Sequence, residues 1–363
     1  MKSLKDFEYE LNKCSKCGLC QESCPIYQIT QNDCAVSKGK FIMLHGVTKG
    51  DLKLSKNINK YLDMCLKCGK CKEFCPSGID VCQILNTAKS EYMRDKFISK
   101  IIGFFQSHKF FTFIMSVLSG LSKPFRHKIG KKDASLKVMY FKGCVNQIFP
   151  RIDNYIYKIF KNVSIDIIAP EFDCCGLPFL SEGNIERFEQ AAYINSQLMN
   201  GAYDYLVTDC ASCESTILDY PKYVEAMDLS DKSINWGDLI AQKGIKFKFK
   251  KKIRVTFHKP CHLRSDDFLE RIIENCENVE YVKMDDYDSC CGFAGSFALK
   301  NRELSLKLAK AKGEKIKSVN ADYVITTCPV CLLGLKQGMM AVGAKGKVVS
   351  LLEFLAKANK ITI

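Results

Sequence analysis

Apolar residues along the first 95 positions recur at three- and four-residue steps: Phe41, Ile42, Met43 and Leu44, then Ile58, Tyr61, Leu62 and Met64, then Val81, Ile84, Leu85, Ala88 and Tyr92. That spacing lays an apolar stripe along a helix, so this part of the chain is expected to be helical rather than built from hairpins. The pattern changes after residue 136. Short β-branched or aromatic runs, Val138 to Phe141, Ile165 to Ile168 and Tyr205 to Thr208, are separated by stretches of helical spacing, Asp153 to Asn162 and Ile185 to Met199. The same order returns as Ile253 to Phe257, Asp267 to Cys276, Val279 to Lys283, Arg302 to Ser318 and Tyr323 to Thr326. Strands alternating with helices predict small parallel sheets with covering helices. The expected fold class is α+β and multidomain: a helical domain over 1–95, a linker over 96–135, and two α/β repeats over 136–245 and 250–363.

Cysteine positions sharpen this picture. Cys14, Cys17, Cys20, Cys24 and Pro25 recur 51 residues later as Cys65, Cys68, Cys71, Cys75 and Pro76. A C-x2-C-x2-C-x3-C-P run is the bacterial two-cluster ferredoxin signature, in which the fourth cysteine of each run serves the other cluster. The expected sets are therefore Cys14, Cys17 and Cys20 with Cys75, and Cys65, Cys68 and Cys71 with Cys24. Tetrahedral zinc normally takes two separated pairs, so it does not fit three thiolates on one tight loop.

A second duplication fills the α/β half. Cys144, Cys174, Cys175, Cys210 and Cys213 are matched by Cys261, Cys290, Cys291, Cys328 and Cys331 at offsets of 117, 116, 116, 118 and 118 residues. Four of these cysteines follow predicted strands, at the carboxyl edge where open α/β sheets place ligands. Gly176 and Gly292 follow the two adjacent pairs and allow a tight turn there. Such a density of soft donors suits iron-sulfur clusters or zinc, so two [4Fe-4S] clusters are expected in the helical domain and one further metal site in each repeat. Three cysteines, Cys34, Cys82 and Cys276, fall outside all these sets and read as buried small hydrophobes.

Composition excludes more than it identifies. The 363 residues are 47% hydrophobic and 26% charged, an ordinary balance for a chain with several real cores. Met1 to Lys13 is charged and has no apolar core, so no signal peptide is expected there. Twenty-one cysteines in a chain read as cytoplasmic point to metal binding rather than to disulfides. The net charge of +14 is concentrated: Lys96 to Lys132 holds eight Lys or Arg and no acidic residue, interleaved with Phe104, Phe105, Phe110, Phe111 and Phe113. Its uncharged run is too short to span a bilayer, which takes roughly 20 residues. It suits peripheral association with the inner face of a membrane or packing on a partner, and nucleic acid is not expected. A second basic run, Lys243 to Lys252, reads as a solvated connection between the repeats. His258 and His262 flank Cys261, either as donors of hydrogen bonds to cluster sulfur or as structural histidines. Neither a G-x-G-x-x-G after a strand nor a P-loop is present, so the chain is not expected to bind its own flavin or nicotinamide.

In the order CSKCGLCQESCPIYQ, CLKCGKCKEFCPSG, YFKGC, CCGLPF, TDCASC, FHKPCHL, CCGFAGSF and TTCPVC, the sequence resembles the glycolate oxidase iron-sulfur subunit. More broadly it is similar to the cysteine-rich CCG proteins, which include heterodisulfide reductase subunits, the anaerobic glycerol-3-phosphate dehydrogenase iron-sulfur subunit and lactate utilisation proteins. In the heterodisulfide reductase branch, the resemblance implies a noncubane four-iron cluster in each complete five-cysteine set. Many glycolate oxidase subunits lack part of the last Cys-x-x-Cys, and this chain differs from them at Cys210, Cys213, Cys328 and Cys331. The resemblance implies an electron-transfer subunit that carries electrons from an FAD-containing dehydrogenase, acting on a 2-hydroxyacid such as glycolate or lactate, to a quinone or other acceptor. The alternatives are a catalytic heterodisulfide reductase-like subunit and a glycerol-3-phosphate dehydrogenase subunit.

Overall fold

The computed structural model describes residues 2–94, 136–148 and 151–363; the basic stretch Lys96 to Lys132 lies outside them. Residues 2–94 are helical, as the spacing predicts. The longer helices are Ser37–Lys49, Lys56–Asp63 and Val81–Arg94. Their apolar stripes bury Phe41, Leu44, Ile58, Leu62, Ile84, Leu85 and Ala88 in one core, joined by Leu4, Phe7 and Leu11 from the N-terminal helices. Burying a side chain of this size is worth roughly 1.5–3 kcal/mol, so short helices that would not persist alone are held by packing.

Each α/β repeat carries a parallel sheet. In the first, β1 (Lys137–Tyr140), β2 (Asp166–Ile168), β3 (Tyr205–Thr208) and β4 (Ser233–Asn235) lie in the order β2-β1-β3-β4. The second has β5 (Lys246–Phe257), β6 (Cys276–Tyr281), β7 (Tyr323–Thr326) and β8 (Lys347–Ser350) in the order β6-β5-β7-β8, with β9 (Lys360–Thr362) antiparallel against β5. The duplication extends to register. Val138 pairs with Tyr205 on β1 and β3, and Val255 pairs with Tyr323 on β5 and β7, partners 117 and 118 residues apart.

The two repeats share their interior rather than standing apart. One hydrophobic core takes Tyr140, Ile156, Phe160 and Trp236 from the first and Phe257, Phe268, Leu352 and Phe354 from the second. A second core joins Cys174, Cys175, Cys210 and Cys213 of the first repeat and Cys291, Cys328 and Cys331 of the second to Phe141, Phe188, Leu335 and Met339.

Two expectations need correction. Residues 246–252 of the basic run are not a solvated connection but the first half of β5, in which Phe247 and Lys248 pair with β6 on one side and β9 on the other. Phe247 and Phe249 alternate there with exposed lysines and are buried, and Phe249 stacks on Phe354 at 4.9 Å. A period of two was hidden under the charge. Cys34 is exposed rather than buried, and Cys82 is half-buried; of the three outlying cysteines only Cys276 is fully buried.

Candidate metal centres

In the helical domain the two cysteine runs share one local geometry. Lys16 and Lys67, the residues two after the first cysteine of each run, both have positive φ, 58° and 56°. A turn of this shape throws successive thiols onto one side. Cys65, Cys68 and Cys71 line a small cavity together with Cys24 from the other run, and Cys82 and the buried Lys40 also reach it. On the other side of the domain, the Ser77 hydroxyl donates to the Lys13 carbonyl at 3.3 Å, which ties the segment after Cys75 to the residue before Cys14.

In the first repeat, Cys144 opens the helix Cys144–Ile148 after β1, Cys174 and Cys175 lie in the loop after β2, and Cys210 caps the helix Ala211–Leu218, whose first turn holds Cys213. The chain cannot stay extended through Cys-Cys-Gly because Gly176 takes φ +89°, and a Cβ there would meet the Phe188 ring at 2.6 Å. The thiols of Cys144 and Cys174 lie 3.5 Å apart. Hydrogen bonds from Cys174 and Cys213 hold the Cys175 thiol well below its ordinary pKa.

A buried polar frame that no motif announces fixes this turn. The Cys174 amide donates to Asp173 at 2.7 Å, the Asp173 amide to Asn195 at 2.9 Å, and Arg187 donates to Asp173 at 2.7 Å. Asn195 donates to the Cys174 carbonyl, and the Tyr220 hydroxyl to the Cys175 carbonyl, both at 3.0 Å. These residues are scattered over some fifty positions with no pattern of their own.

The second repeat repeats the placement. Cys261 follows β5, Cys290 and Cys291 follow β6, and Cys328 caps the helix Pro329–Val342 with Cys331 in its first turn. Gly292 has φ +80°, and a Cβ there would meet Leu308 and the Ser305 carbonyl below 3 Å. Cys291 and Cys331 are 3.4 Å apart. Hydrogen bonds from Cys290 and Cys331 hold Cys291 well below its ordinary pKa, while Cys261 and Cys290 are pushed well above theirs by neighbouring thiols and burial.

The sites lie in a series. The helical domain meets the second five-cysteine set, since Cys65 and Lys67 line one cavity with Cys261 and Cys290, and burial, then Cys261, pushes the Cys68 thiol up. That set meets the first, because the Ala211 amide beside Cys210 donates to the Thr327 carbonyl beside Cys328 at 3.1 Å and the Ser212 hydroxyl lies 3.9 Å from the Cys328 sulfur. A cavity of about 160 Å³ opens where the three domains converge. All five cysteines of the second set line it, with Cys65 and Lys67 of the helical domain and Ser212 of the first repeat, and none of the first set's cysteines do. One wall is held by Lys89, whose ammonium lies 2.6 Å from Asp63, 2.9 Å from the Ser181 carbonyl and 3.3 Å from Glu182.

The two histidines differ. His262 bridges domains: Nε2 donates to the Lys67 carbonyl at 2.9 Å, which leaves Nδ1 to accept from Ser212 at 3.0 Å. His258 is fully buried, with Nδ1 3.2 Å from the Tyr287 carbonyl, and burial pushes its pKa down to about 3.

The donor chemistry fits iron-sulfur clusters. All 21 cysteines are free thiols, and eight of the ten in the repeats are buried. So many buried thiols cannot ionise together without a compensating cation. A helix N-terminus favours the thiolate that a soft metal takes, and Cys328, which caps Pro329–Val342, is held well below its ordinary pKa. Close approach is built in: a Cβ on Gly143 would lie 3.1 Å from the Cys213 sulfur, and one on Gly334 3.2 Å from the Cys291 sulfur.

Comparison with known proteins agrees with this chemistry. A family model described as a cysteine-rich domain matches residues 138–218 and again 255–336, and a 4Fe-4S dicluster domain model matches residues 10–79. The chain is similar to a subunit of the fumarate reductase (CoM/CoB) of Methanothermobacter marburgensis, with 27% identity over 96% of this chain and 72% of that protein. It is also similar to the probable glycolate oxidase iron-sulfur subunit of Bacillus subtilis, with 24% identity over 97% of this chain and 94% of that one. A subunit of the dihydromethanophenazine:CoB--CoM heterodisulfide reductase of Methanosarcina mazei is 23% identical over 96% of this chain and 94% of its own length.

Proposed function

We propose that the chain, which carries a 4Fe-4S dicluster domain ahead of two cysteine-rich CCG domains, is the electron-relay subunit of a multi-subunit oxidoreductase. The observation that supports this most is the serial arrangement of the thiol sets: Cys65 of the helical domain lines one cavity with all five cysteines of the second set, and the Ala211 amide beside Cys210 donates to the Thr327 carbonyl beside Cys328 at 3.1 Å. Iron-sulfur clusters supply one-electron transfer when bound, and the protein's part is to hold them near one another and to keep water from them. In this reading Cys14, Cys17, Cys20 and Cys75 hold one [4Fe-4S] cluster, and Cys65, Cys68, Cys71 and Cys24 hold a second. Cys144, Cys174, Cys175, Cys210 and Cys213 hold a third four-iron cluster of noncubane type, and Cys261, Cys290, Cys291, Cys328 and Cys331 a fourth.

The donor is an FAD-containing subunit that oxidises a 2-hydroxyacid of the glycolate or lactate kind, and the acceptor a quinone or a comparable carrier. Among the described residues no helix is long and apolar enough to cross a membrane, so the basic stretch Lys96 to Lys132 is the part of this chain proposed to meet a membrane surface. Anaerobic co-purification tests the reading. The isolated chain should bind no flavin and oxidise neither glycolate nor lactate with an artificial acceptor, and the flavoprotein that co-purifies with it should restore one of these activities. Oxidation by the chain alone would overturn the relay assignment.

One observation favours a second reading. The cavity reaches all five cysteines of the second set, which suits a site where a disulfide or a pair of thiols meets a cluster; heterodisulfide reduction is what the name of the Methanosarcina mazei relative states for that protein. Reduction of a heterodisulfide by the chain with a low-potential dye, without any partner, would select it.

A further inference from the structure

The two repeats differ in chemistry at one position beside the thiols. Phe141 follows β1 and its amide donates to the Val207 carbonyl at 2.9 Å; His258 follows β5 and its amide donates to the Ile325 carbonyl at 2.8 Å. The two residues are 117 positions apart and their acceptors 118, so they occupy the same place in the duplicated fold. Both are fully buried. Phe141 packs against Phe172, with ring centroids 4.8 Å apart. His258 faces sulfur instead: a ring nitrogen of His258 and the Sγ atoms of Cys291 and Cys331 all lie within 4.8 Å of one another.

The hydrogen bond to Tyr287 decides which nitrogen is free. A carbonyl only accepts, so Nδ1, 3.2 Å from it, carries the proton. Nε2 is then left with its lone pair, buried, and without a hydrogen-bond partner among the described residues. Leaving a buried polar atom unpaired is costly, and metal-bound histidines fix the free nitrogen in just this way, by donating the other ring N–H to a backbone carbonyl. Donors about 2.0–2.3 Å from one tetrahedral metal lie roughly 3–4 Å from each other, a separation near the spread found here.

We propose that His258 Nε2 is a sixth protein ligand at the second five-cysteine site, bound to an iron atom beside Cys291 and Cys331, while the first site is ligated by thiolates alone. The proposal rests on the reading that the second set holds an iron cluster. It makes the duplicated sites chemically different: an imidazole is neutral where every other donor is an anion, and nitrogen in place of thiolate changes the electronic character of iron-sulfur centres. Bare Nε2 also cannot donate to cluster sulfur, so a hydrogen-bonding role for His258 is replaced by ligation.

The test uses the full chain, purified anaerobically with its iron, with 15N carried only in histidine. Pulsed EPR through a redox titration should show one strongly coupled 15N nucleus at one cluster. His258→Phe, which installs the residue of the first repeat, should abolish that coupling with iron per chain unchanged, because five thiolates remain. His262→Gln should keep it. Mössbauer spectra of 57Fe-loaded protein, which need no paramagnetic state, should change at one iron in His258→Phe alone. If Cys291→Ser removes about four iron atoms but the wild type shows only weak 15N coupling and the Mössbauer spectra of wild type and His258→Phe coincide, the ligation is wrong and the cluster reading stands. If Cys291→Ser leaves the iron content unchanged, the second site holds no cluster and both fail.

Discussion

Around the first Cys-Cys turn, Arg187, Asp173, Asn195 and Tyr220 brace the backbone through buried hydrogen bonds. At the offsets of 116 to 118 residues that relate the two repeats, the second copy holds Leu304, Ser289, Lys312 and Gly338. Only one piece of the frame survives in kind: the Lys312 ammonium reaches the Asp286 carbonyl at 2.6 Å and the Ser289 hydroxyl at 3.2 Å. Where Tyr220 sends a hydroxyl to the Cys175 carbonyl, Gly338 lets two helices touch, and a Cβ there would clash with the Ala309 carbonyl. The duplicated unit has thus kept its thiol positions while its supporting shell diverged. The first site is braced and enclosed; the second opens onto the cavity and faces the helical domain. That difference fits a series in which the second site receives or delivers electrons at a junction and the first lies at its end.

The largest effect should come from removing a cysteine from each site. Cys175→Ser and Cys291→Ser should each lower iron by about four atoms from about sixteen per chain, leaving both helical-domain clusters in place. Their effects on electron flow should differ. Loss of the second site separates the first from the helical domain, so Cys291→Ser should stop reduction of the first site in stopped-flow spectra, whereas Cys175→Ser should leave reduction of the second unchanged. Equal slowing in both variants would break the serial order.

Next in size is the frame of the first site. The Arg187 and Asp173 side chains are 4% and 2% exposed, and breaking one partner of such a pair leaves an uncompensated buried charge, worth about 3–5 kcal/mol. Arg187→Met should lower stability in urea by that order and weaken iron retention at the first site. Leu304→Met, at the matching position of the second repeat, should cost under about 1.5 kcal/mol as a volume-conserving exchange. Similar losses from both would mean that the frame is not what distinguishes the two copies.

A smaller, pH-dependent difference follows from Lys312, which has Asn195 as its counterpart. Burial pushes the Lys312 pKa down to about 8 from 10.5. Between those values the unfolded chain binds more protons than the folded one, so stability rises with pH across that window, by an amount on the order of 3 kcal/mol. The gain is absent below pH about 8 and complete above 10.5. Lys312→Met should flatten the dependence measured by urea unfolding at about pH 7.5, 9 and 10. A cluster of net negative charge beside Cys290 and Cys291 would retain the proton and shrink the gain, so comparing iron-loaded with iron-free protein reports the charge held at the second site.

The ligand positions were legible because metal chemistry constrains residue type and spacing at once, and duplication doubled the signal. The periodicity likewise showed the helices that carry Phe41, Ile58 and Ile84, and the strands β1, β3 and β7. Charge hid the start of β5, since Lys246, Lys248 and Lys250 mask the alternation of Phe247 and Phe249. Strands β4 (Ser-Ile-Asn) and β8 (Lys-Val-Val-Ser) hold only one and two β-branched residues between polar ends, too few to register as an apolar run. Nothing in local sequence marks Asp173, Arg187, Asn195 and Tyr220 as a unit, because only the fold brings residues from 173 to 220 onto one turn. The split between His258 and His262 was hidden for a related reason: four residues apart beside one cysteine, they face different partners, Tyr287 in one case and Ser212 with Lys67 in the other.

The smallest effect concerns that last bridge, which ties the open second site to both of its neighbours. Ser212 of the first repeat donates to His262 of the second, and His262 donates to the Lys67 carbonyl of the helical domain, at 3.0 and 2.9 Å. Ser212→Ala removes one neutral hydrogen bond at a half-buried position and should lower stability by about 0.5–1.5 kcal/mol, with iron content unchanged. The Lys67 carbonyl keeps its donor in that variant, so the spacing between Cys68 and Cys261 should hold and the rate of reduction of the second site should match the wild type. His262→Phe removes both bonds and leaves the carbonyl unpaired, so it should cost more and slow that reduction as the helical domain loosens. Should Ser212→Ala slow reduction as much as His262→Phe does, the hydroxyl acts at the second site itself, where it lies 3.9 Å from the Cys328 sulfur, and the bridge is more than a structural tie.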